Sequence, residues 1–384
     1  MVQVRVQSAR STNTSPDAAA EEVLGALGSF SPKVLFGFVP GPFDQRAFHT
    51  ALRARLPKET RLITSSTGGE ITNEGLHSEG LVVTGLGGDI EIGVGWATGL
   101  SKDAAKAGST AMESAARELG ERVSNLDRRC GAIVLDDGFK MKKEEMLLGV
   151  LERNQGLVVV GGGASGYEFM RGTGYIGVDG EVFSDGCVVM LFRTNAPWQA
   201  MRSHWFEPTG QRTRLTKVDL ATRRIIELDG KPAGPRWAEI VGVPPEHLTL
   251  AHPDQLLRWA LAMRVGREYF LRAIGKSFTD DSLESMNMVQ EDLDLEVMRL
   301  GNMIESTRRF LSEEVPRRVP NPTAAMFFDC GARKLFATMT GKLGDLSDAF
   351  KLAPPCGGMT VHFETYCGFM VNSTLTSLVF GTHQ

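Results

Sequence analysis

Cysteine is sparse in this chain, and positive charge is not in excess. Only five of the 384 residues are cysteines, Cys130, Cys187, Cys330, Cys356 and Cys367, an odd and scattered set with no C-x-x-C. That spacing argues against a zinc ribbon or a thioredoxin-type motif and favours free, buried thiols in a reducing cytoplasm. Lys and Arg number 42 against 46 Asp and Glu, a net charge of −4, so the basic face of a general nucleic-acid or membrane-surface binder is missing. No apolar run reaches the roughly 18 residues of a membrane span. Residues 1–17 carry Arg5 and Arg10 but no apolar stretch of the kind a secretory signal needs. The seven histidines form no H-x-x-x-H pair. Ser165 lies in G-A-S-G-Y, and a nucleophile elbow would need glycine where Tyr167 stands. Cys330 and Cys367 have no His and Asp partners assignable from spacing, and Asp136-Asp137 and Asp280-Asp281 read as solvated or capping pairs in polar turns. No hydrolase or metalloenzyme signature emerges.

What is present is an ordinary globular mix, 42% hydrophobic and 23% charged, over a length that suits two domains. Residues 1–17 read as a loose polar lead-in that runs into a helix over Pro16–Leu27. The apolar run Lys33–Pro40, ended by Pro-Gly, predicts a buried strand, and Asp44–Leu56 an amphipathic helix. Arg61–Ser65 predicts a strand that enters the polar turn Ser65–Ile71. Gly80–Leu86 and Ile90–Trp96 read as a strand pair around Gly87-Gly88-Asp89, followed by a long helix over Ser101–Leu126. Strand, helix, strand then continue to the glycine run Gly161–Gly166, and a hairpin turns at Val178-Asp179-Gly180. The fold class is α/β: two mixed α/β parts with β-sheets flanked by helices, divided as 1–32, 33–230 and 231–384. No internal repeat is visible in the sequence.

The ending, Cys356–Thr382, reads as two apolar strands joined by a tight Cys-Gly turn, yet it carries His362, Glu364, Asn372 and Thr374. Polar side chains on buried strands cost several kcal/mol unless something pairs with them, so they serve an internal network or a ligand. Gly162 and its neighbours could present N–H groups to an anion, or could be glycines that let backbones pack closely. Ser65, Ser66, Thr67 and Glu70 could hold a small polar ligand, or could form a capped turn with Glu70 in water. Arg333, just beyond the apolar strand Ala324–Asp329, could hold a carboxylate or could pair internally with Asp329 or Glu364.

Taken in order, these stretches resemble FIST-domain proteins, with a FIST-N and a FIST-C part. T-S-S-T-G-G-E-I at Thr64–Ile71 resembles the family's G-C-S-T-x-G-E-I turn, and Gly161–Ser165 its central G-G-x-A turn. Glu227–Ala233, E-L-D-G-K-P-A, resembles its I-D-G-x-P-A linker, and Phe327–Arg333 its F-x-C-x-x-R motif. The ending resembles G-E-I followed by H-N-x-T-L-T, except that Phe363 and Thr365 flank Glu364 and that Val371 stands at the family's histidine. Thr64-Ser65 likewise replaces the family's Gly-Cys.

The resemblance implies a ligand-sensing module rather than an enzyme: a stand-alone cytoplasmic sensor for a small polar molecule such as an amino acid, signalling through a partner. It carries over onto Ser65, Ser66, Thr67, Glu70, Gly162, Ser165, Cys330, Arg333, Glu364, Asn372 and Thr374 as ligand-binding positions, with no cofactor and no metal. Two rivals stand beside it. A similar branch binds haem, senses nitric oxide and acts on a histidine kinase, for which His204 and His362 are the axial candidates. A cysteine-dependent enzyme would need a Cys330 or Cys367 thiol of depressed pKa.

Overall fold

The computed structural model describes residues 2–166, 172–249 and 251–383, so part of the loop expected after Gly166 lies outside the described residues. Its organising feature is one order of elements used three times: strand, helix, strand, helix, strand, hairpin, strand. The first pass comprises β1 (Val4–Ser11), α1 (Pro16–Leu27), β2 (Val34–Pro40), α2 (Gln45–Arg55), β3 (Arg61–Thr67), the hairpin β4 (Glu70–Thr72) and β5 (Gly75–His77), and β6 (Leu81–Gly88). The second comprises β7 (Glu91–Thr98), α3 (Leu100–Glu118), β8 (Cys130–Asp137), α4 (Lys143–Leu151), β9 (Val158–Ala164), the hairpin β10 (Ile176–Val178) and β11 (Glu181–Phe183), and β12 (Gly186–Arg193).

The third pass opens with β13 (Trp198–His204) and is then interrupted by an insertion. The insertion holds β14 (Phe206–Asp219), β15 (Arg224–Leu228), β16 (Lys231–Pro232), α5 (Ala233–Val241), α6 (Pro253–Leu256), β17 (Trp259–Val265), β18 (Glu268–Arg272), β19 (Ile274–Ser277), β20 (Leu283–Ser285) and β21 (Leu293–Leu300). The pass resumes with α7 (Met303–Arg309), α8 (Val315–Arg318), β22 (Ala324–Cys330), α9 (Gly331–Met339), α10 (Leu343–Phe350) and β23 (Cys356–Val361). It ends with the hairpin β24 (Glu364–Tyr366) and β25 (Phe369–Val371), and β26 (Thr374–Phe380).

Each pass builds a six-stranded sheet with the same plan, and each sheet borrows its outer hairpin from another pass. The orders are β1-β6-β2-β3-β10-β11, β7-β12-β8-β9-β24-β25 and β13-β26-β22-β23-β4-β5. Within each, the central pair (β2 with β3, β8 with β9, β22 with β23) is parallel and the other neighbours are antiparallel. The cyclic exchange of hairpins ties residues 70–77 into the C-terminal sheet and residues 364–371 into the second sheet.

Strand alternation explains the layers. Phe36 and Phe38, Ile133 and Leu135, and Met326 and Phe328 point from the three sheets into one shared core. The intervening residues face outward. Leu35 and Val39 meet α1 and α2, Ala132 and Val134 meet α3 and α4, and Ala325 and Phe327 meet the helices of the third pass. The inserted sheet has its own core, in which Trp237 of α5 is 1% exposed.

Several expectations change. The lead-in is in part a strand: β1 pairs with β6 from Val4↔Gly88 to Ser11↔Leu81, and its Val4, Val6 alternation was hidden by the polar residues after it. β6 and β7 are not partners; they lie in different sheets, with the crossing at Asp89-Ile90. The glycine run is strand rather than loop. A Cβ on Gly161 would lie 1.9 Å from the Val134 oxygen and one on Gly163 2.4 Å from the His362 oxygen, so these glycines permit close backbone approach. The ending is four strands, not two, and Cys367-Gly368 turns only the short hairpin β24–β25. Asp136 and Asp137 are not solvated: Asp136 forms a buried ion pair with Lys143, and Asp137 accepts from the amides of Gly174 (3.0 Å) and Asp185 (2.9 Å).

Candidate functional site

The C-terminal ends of the three parallel pairs meet. Chain leaving a parallel sheet at these ends is where α/β proteins build sites, because the strands stop together and the loops must diverge. Here the turns after β3, β9 and β23 interlock. The Ser165 amide donates to the Ser66 oxygen (3.0 Å), the Thr360 amide to the Gly69 oxygen (2.6 Å) and the His362 amide to the Gly163 oxygen (2.9 Å). The Ser165 hydroxyl donates to the Thr360 carbonyl (2.7 Å) and accepts from the Gly68 amide (3.0 Å). Ser66 Oγ accepts from the Tyr175 amide (3.0 Å), Ser65 Oγ donates to the Ser66 oxygen (3.2 Å), and Thr67 Oγ1 lies 3.0 Å from the Thr360 oxygen. These hydroxyls hold turn to turn.

The insertion roofs this junction and leaves a cavity of about 700 Å³, within the usual size of a small-molecule site. Its core-side wall includes Ser165, Cys330, Lys334, Thr360, His362 and Asn372. Ala273, Ile274, Met286 and Glu284 of the insertion face them. The roof is fastened at Asn372 and at α4, and the insertion is tied to the core again where Arg202 of β13 pairs with Glu268 of β18 at 2.8 Å. Asn372 Oδ1 accepts from the Ala273 amide (3.1 Å), and its Nδ2 donates to Asn287 Oδ1 (2.7 Å). On α4, Glu144 takes Arg272 at 3.2 Å and the Met288 amide at 2.5 Å, while Glu145 takes Arg223 at 3.2 Å. Asn372→Leu strands two buried polar groups of the insertion and is expected to cost about 2–4 kcal/mol. Faster hydrogen exchange in Ile274–Ser285, with β2 and β8 unchanged, is the accompanying sign.

The charged groups divide by position. Arg333 is 0% exposed and pairs with Asp329 through Nε (2.5 Å), reaches Thr307 Oγ1 through Nη2 (2.7 Å) and lies over the Trp205 ring. It is a structural ion pair outside the cavity lining. Glu364 is equally enclosed. Its Oε1 accepts from the Thr374 amide (2.8 Å) and hydroxyl (2.5 Å), and burial pushes its carboxyl up to about 8. Glu70 is 0% exposed with neither carboxylate oxygen hydrogen-bonded, and burial pushes it well above the ordinary carboxylate range, against Lys334 and Arg10. Lys334, next in sequence to Arg333, turns to the cavity wall and donates to the Gly68 carbonyl. Burial lowers its amine, with Glu70 and Asp329 opposing.

Of the residues picked out in the sequence, Ser165, Cys330 and Asn372 line the cavity. Ser65, Ser66, Thr67, Glu70, Gly162, Arg333, Glu364 and Thr374 stand behind its walls, and a Cβ on Gly162 would meet Val361 at 2.4 Å. His362 lines the cavity with its Nδ1 at 2.9 Å from the Gly138 oxygen and its ring stacked on Phe139, whereas His204 lies elsewhere, edge-on to Tyr269. Burial lowers both rings to about 4, so both are neutral near pH 7. Among the described residues no group of three or more His, Cys, Asp or Glu is placed to hold a metal ion, and no helix is long and apolar enough to cross a membrane. The five cysteines are free, and burial raises the Cys330 thiol well above its usual range, with Glu364 adding to the rise. Lys334, Thr360 and the insertion wall were missed. The one sequence signal for Lys334 is its place beside Arg333 at a strand-to-helix junction.

A family model described as the FIST N domain matches residues 33–231, more than half of the chain. No curated protein matches the sequence. Among solved structures, a cyanuric acid hydrolase from A. caulinodans is similar at 10% identity and a TM-score of 0.39, over 99% of this chain and 100% of that one. Phosphoribosylformylglycinamidine synthase II from Thermotoga maritima is similar at 12% identity and a TM-score of 0.19, over 98% of this chain and 71% of that one. At these scores neither likeness bears on function.

Proposed function

We propose that this chain, which belongs to the FIST family of small-ligand-sensing signal-transduction domains, senses a small polar molecule in the cavity between its insertion and its three-sheet core. The observation that supports this most is the origin of the cavity walls: one side is core, the other is insertion, and polar side chains tie one to the other. A ligand shifts a conformational equilibrium only by its differential affinity for the two states. A ligand that touches both walls has such a difference built in, because it gains contacts only when the roof is seated. Residues 231–384, the FIST-C-like part, supply most of the lining, and the signal passes to a partner, a histidine kinase being the kind the resemblance implies. Free cysteines support a reducing, cytoplasmic setting. A binder is favoured over a cysteine-dependent catalyst because a nucleophile needs a depressed thiol pKa, and burial moves Cys330 and Cys367 the other way.

The test is thermal unfolding of the purified protein against a metabolite library, with Ala273→Trp as the filled-cavity control. A true ligand at a hundred times its Kd adds about 2.7 kcal/mol of stability, and Ala273→Trp removes that gain. If no compound raises the melting temperature of the wild-type protein, the sensor reading fails.

A further inference from the structure

Two side chains in the core-side wall have placements that the fold alone does not explain. Thr360 lines the cavity and is 2% exposed, and its hydroxyl has no hydrogen-bond partner among the described residues. Its backbone, by contrast, is fully engaged. The amide donates to the Gly69 oxygen (2.6 Å), and the carbonyl accepts from Ser165 Oγ (2.7 Å) and Thr67 Oγ1 (3.0 Å). The side chain is therefore held in place, and Gly69 leaves the hydroxyl uncovered, since a Cβ there would stand 3.0 Å from Oγ1. A buried hydroxyl that bonds nothing costs stability, and valine, of the same shape, would not carry that cost. Phe363 is the second. Its φ is +64°, in the left-handed region that bulky side chains rarely adopt and that glycine enters freely. Strain of that kind gathers where a side chain is needed for a site. The Phe363 ring lies in the cavity lining, 4.5 Å from the His362 ring, which stacks in turn on Phe139 at 4.9 Å. Three aromatic rings thus adjoin along one stretch of the wall.

We infer that the ligand is an aromatic carbonyl compound, its oxygen accepting from the Thr360 hydroxyl and its ring lying against Phe363 and the rings beside it. The inference rests on the sensor reading above and names the ligand class. The bond that the fold withholds from the Thr360 hydroxyl forms when the ligand enters, so the cost of the unpaired group falls on the empty protein and is lifted on binding. An acceptor suits the place better than a donor. The first turn of α9 lies alongside, a Cβ on Gly331 standing 3.9 Å from Thr360 Cγ2, and the positive end of a helix favours an acceptor oxygen. An aromatic ring gains from edge-to-face or offset contact with the wall beyond what an aliphatic ring of the same size gains. Thr360 and Phe363 are three residues apart, so at most about 10 Å separates their Cα atoms, which suits a ring and a carbonyl joined by a short link.

The experiment is a saturation-transfer NMR titration with 4-phenyl-2-butanone, with butylbenzene, which lacks the carbonyl, and with 4-cyclohexyl-2-butanone, which lacks the aromatic ring. Ratios of affinity between compounds, compared between variants, cancel the differences in their own hydration. Thr360→Val is expected to weaken the phenyl ketone about fivefold relative to butylbenzene, the worth of one neutral hydrogen bond, and to leave its ratio to the cyclohexyl ketone unchanged. Thr360→Ser keeps both ratios. Phe363→Leu is expected to weaken the phenyl ketone about two- to tenfold relative to the cyclohexyl ketone and to leave its ratio to butylbenzene unchanged. Phe139→Leu carries the same test if Phe363→Leu does not fold. Thermal unfolding accompanies each titration: Thr360→Val is expected to melt no lower than the wild type, because its hydroxyl has no protein bond to lose. A lower melting temperature for Thr360→Val, or ratios that do not move, overturns the assignment and leaves the sensor reading standing. So does silence from all three compounds when another metabolite raises the melting temperature. If no metabolite does so either, the sensor reading itself fails.

Discussion

Replacing Arg333 with methionine is expected to destabilise the unliganded protein by about 3–5 kcal/mol, the usual cost of breaking a buried ion pair from one side. Asp329 and Arg333 are both 0% exposed, and the guanidinium is the partner that holds the carboxylate (2.5 Å). With methionine at 333, Asp329 must stay buried and unpaired or take up a proton. Burial already raises Asp329 despite the adjacent guanidinium, which shows how little solvation it has. The double variant Asp329→Asn/Arg333→Met removes the stranded charge as well and is expected to recover much of the loss. Urea denaturation of the wild type, both single variants and the double closes the cycle. Additive losses would mean the two residues do not act as a pair. A ligand-contact role for Arg333 predicts the reverse pattern, with normal stability without ligand and loss only in binding.

Glu364→Gln is expected to remove a large pH dependence of stability. Burial holds the Glu364 carboxyl near 8, against an ordinary value of 4.5. Between those values the native state keeps a proton that the unfolded chain has lost, so stability falls as pH rises across the window. The full effect is on the order of 4 kcal/mol by pH 8. Three histidines pull the other way. His49, His204 and His362 are lowered to about 4 by burial, so below 6.5 the unfolded chain binds protons that the native state does not. Stability therefore rises with pH between about 4 and 6.5 on their account. The difference between the variant and the wild type cancels the histidines and is the quantity to follow. It should swing in favour of glutamine by several kcal/mol from pH 4.5 to 8, measured by chemical denaturation at intervals through that range. A difference that stays flat would show that Glu364 is ionised in the native state.

Much of the local structure was legible because it follows local rules. The helix over Gln45–Arg55 shows in its period and in Asp44, whose carboxylate caps the Ala47 amide (2.9 Å). The hairpin at Asp179-Gly180 shows in its turn residues, and the buried strands in their apolar runs. The helix α7 begins at an Asn302 cap and widens over Phe310–Glu314 ahead of Pro316, which cannot donate to the ladder. The site was half legible. Cys330 at the end of β22 and Asn372 between β25 and β26 are polarisable or polar groups in apolar surroundings, and both lie in the cavity wall. The depth of a side chain could not be read, so Arg333 stayed open between a ligand carboxylate and the internal Asp329 pair that the structure shows, and Glu70 and Glu364 stayed open between a ligand and the protein interior that encloses them. Lys334 was missed because one step along a helix rotates a side chain by about 100°, and no single-residue rule says which of two neighbours faces inward.

By itself the amino-acid sequence determined the FIST family membership, the α/β alternation and the lack of an apolar run long enough to span a membrane. Those properties depend on neighbours within a few positions, which composition and periodicity record. The tertiary structure alone decided the threefold plan, the exchange of hairpins among the sheets and the cavity under the insertion. Those depend on pairings such as β4 with β23 and β24 with β9, made across some 200 to 290 residues of chain. A strand's apolar pattern says that it must be covered, but not by which partner. The free energy that selects the partner comes from filling one core shared by three sheets.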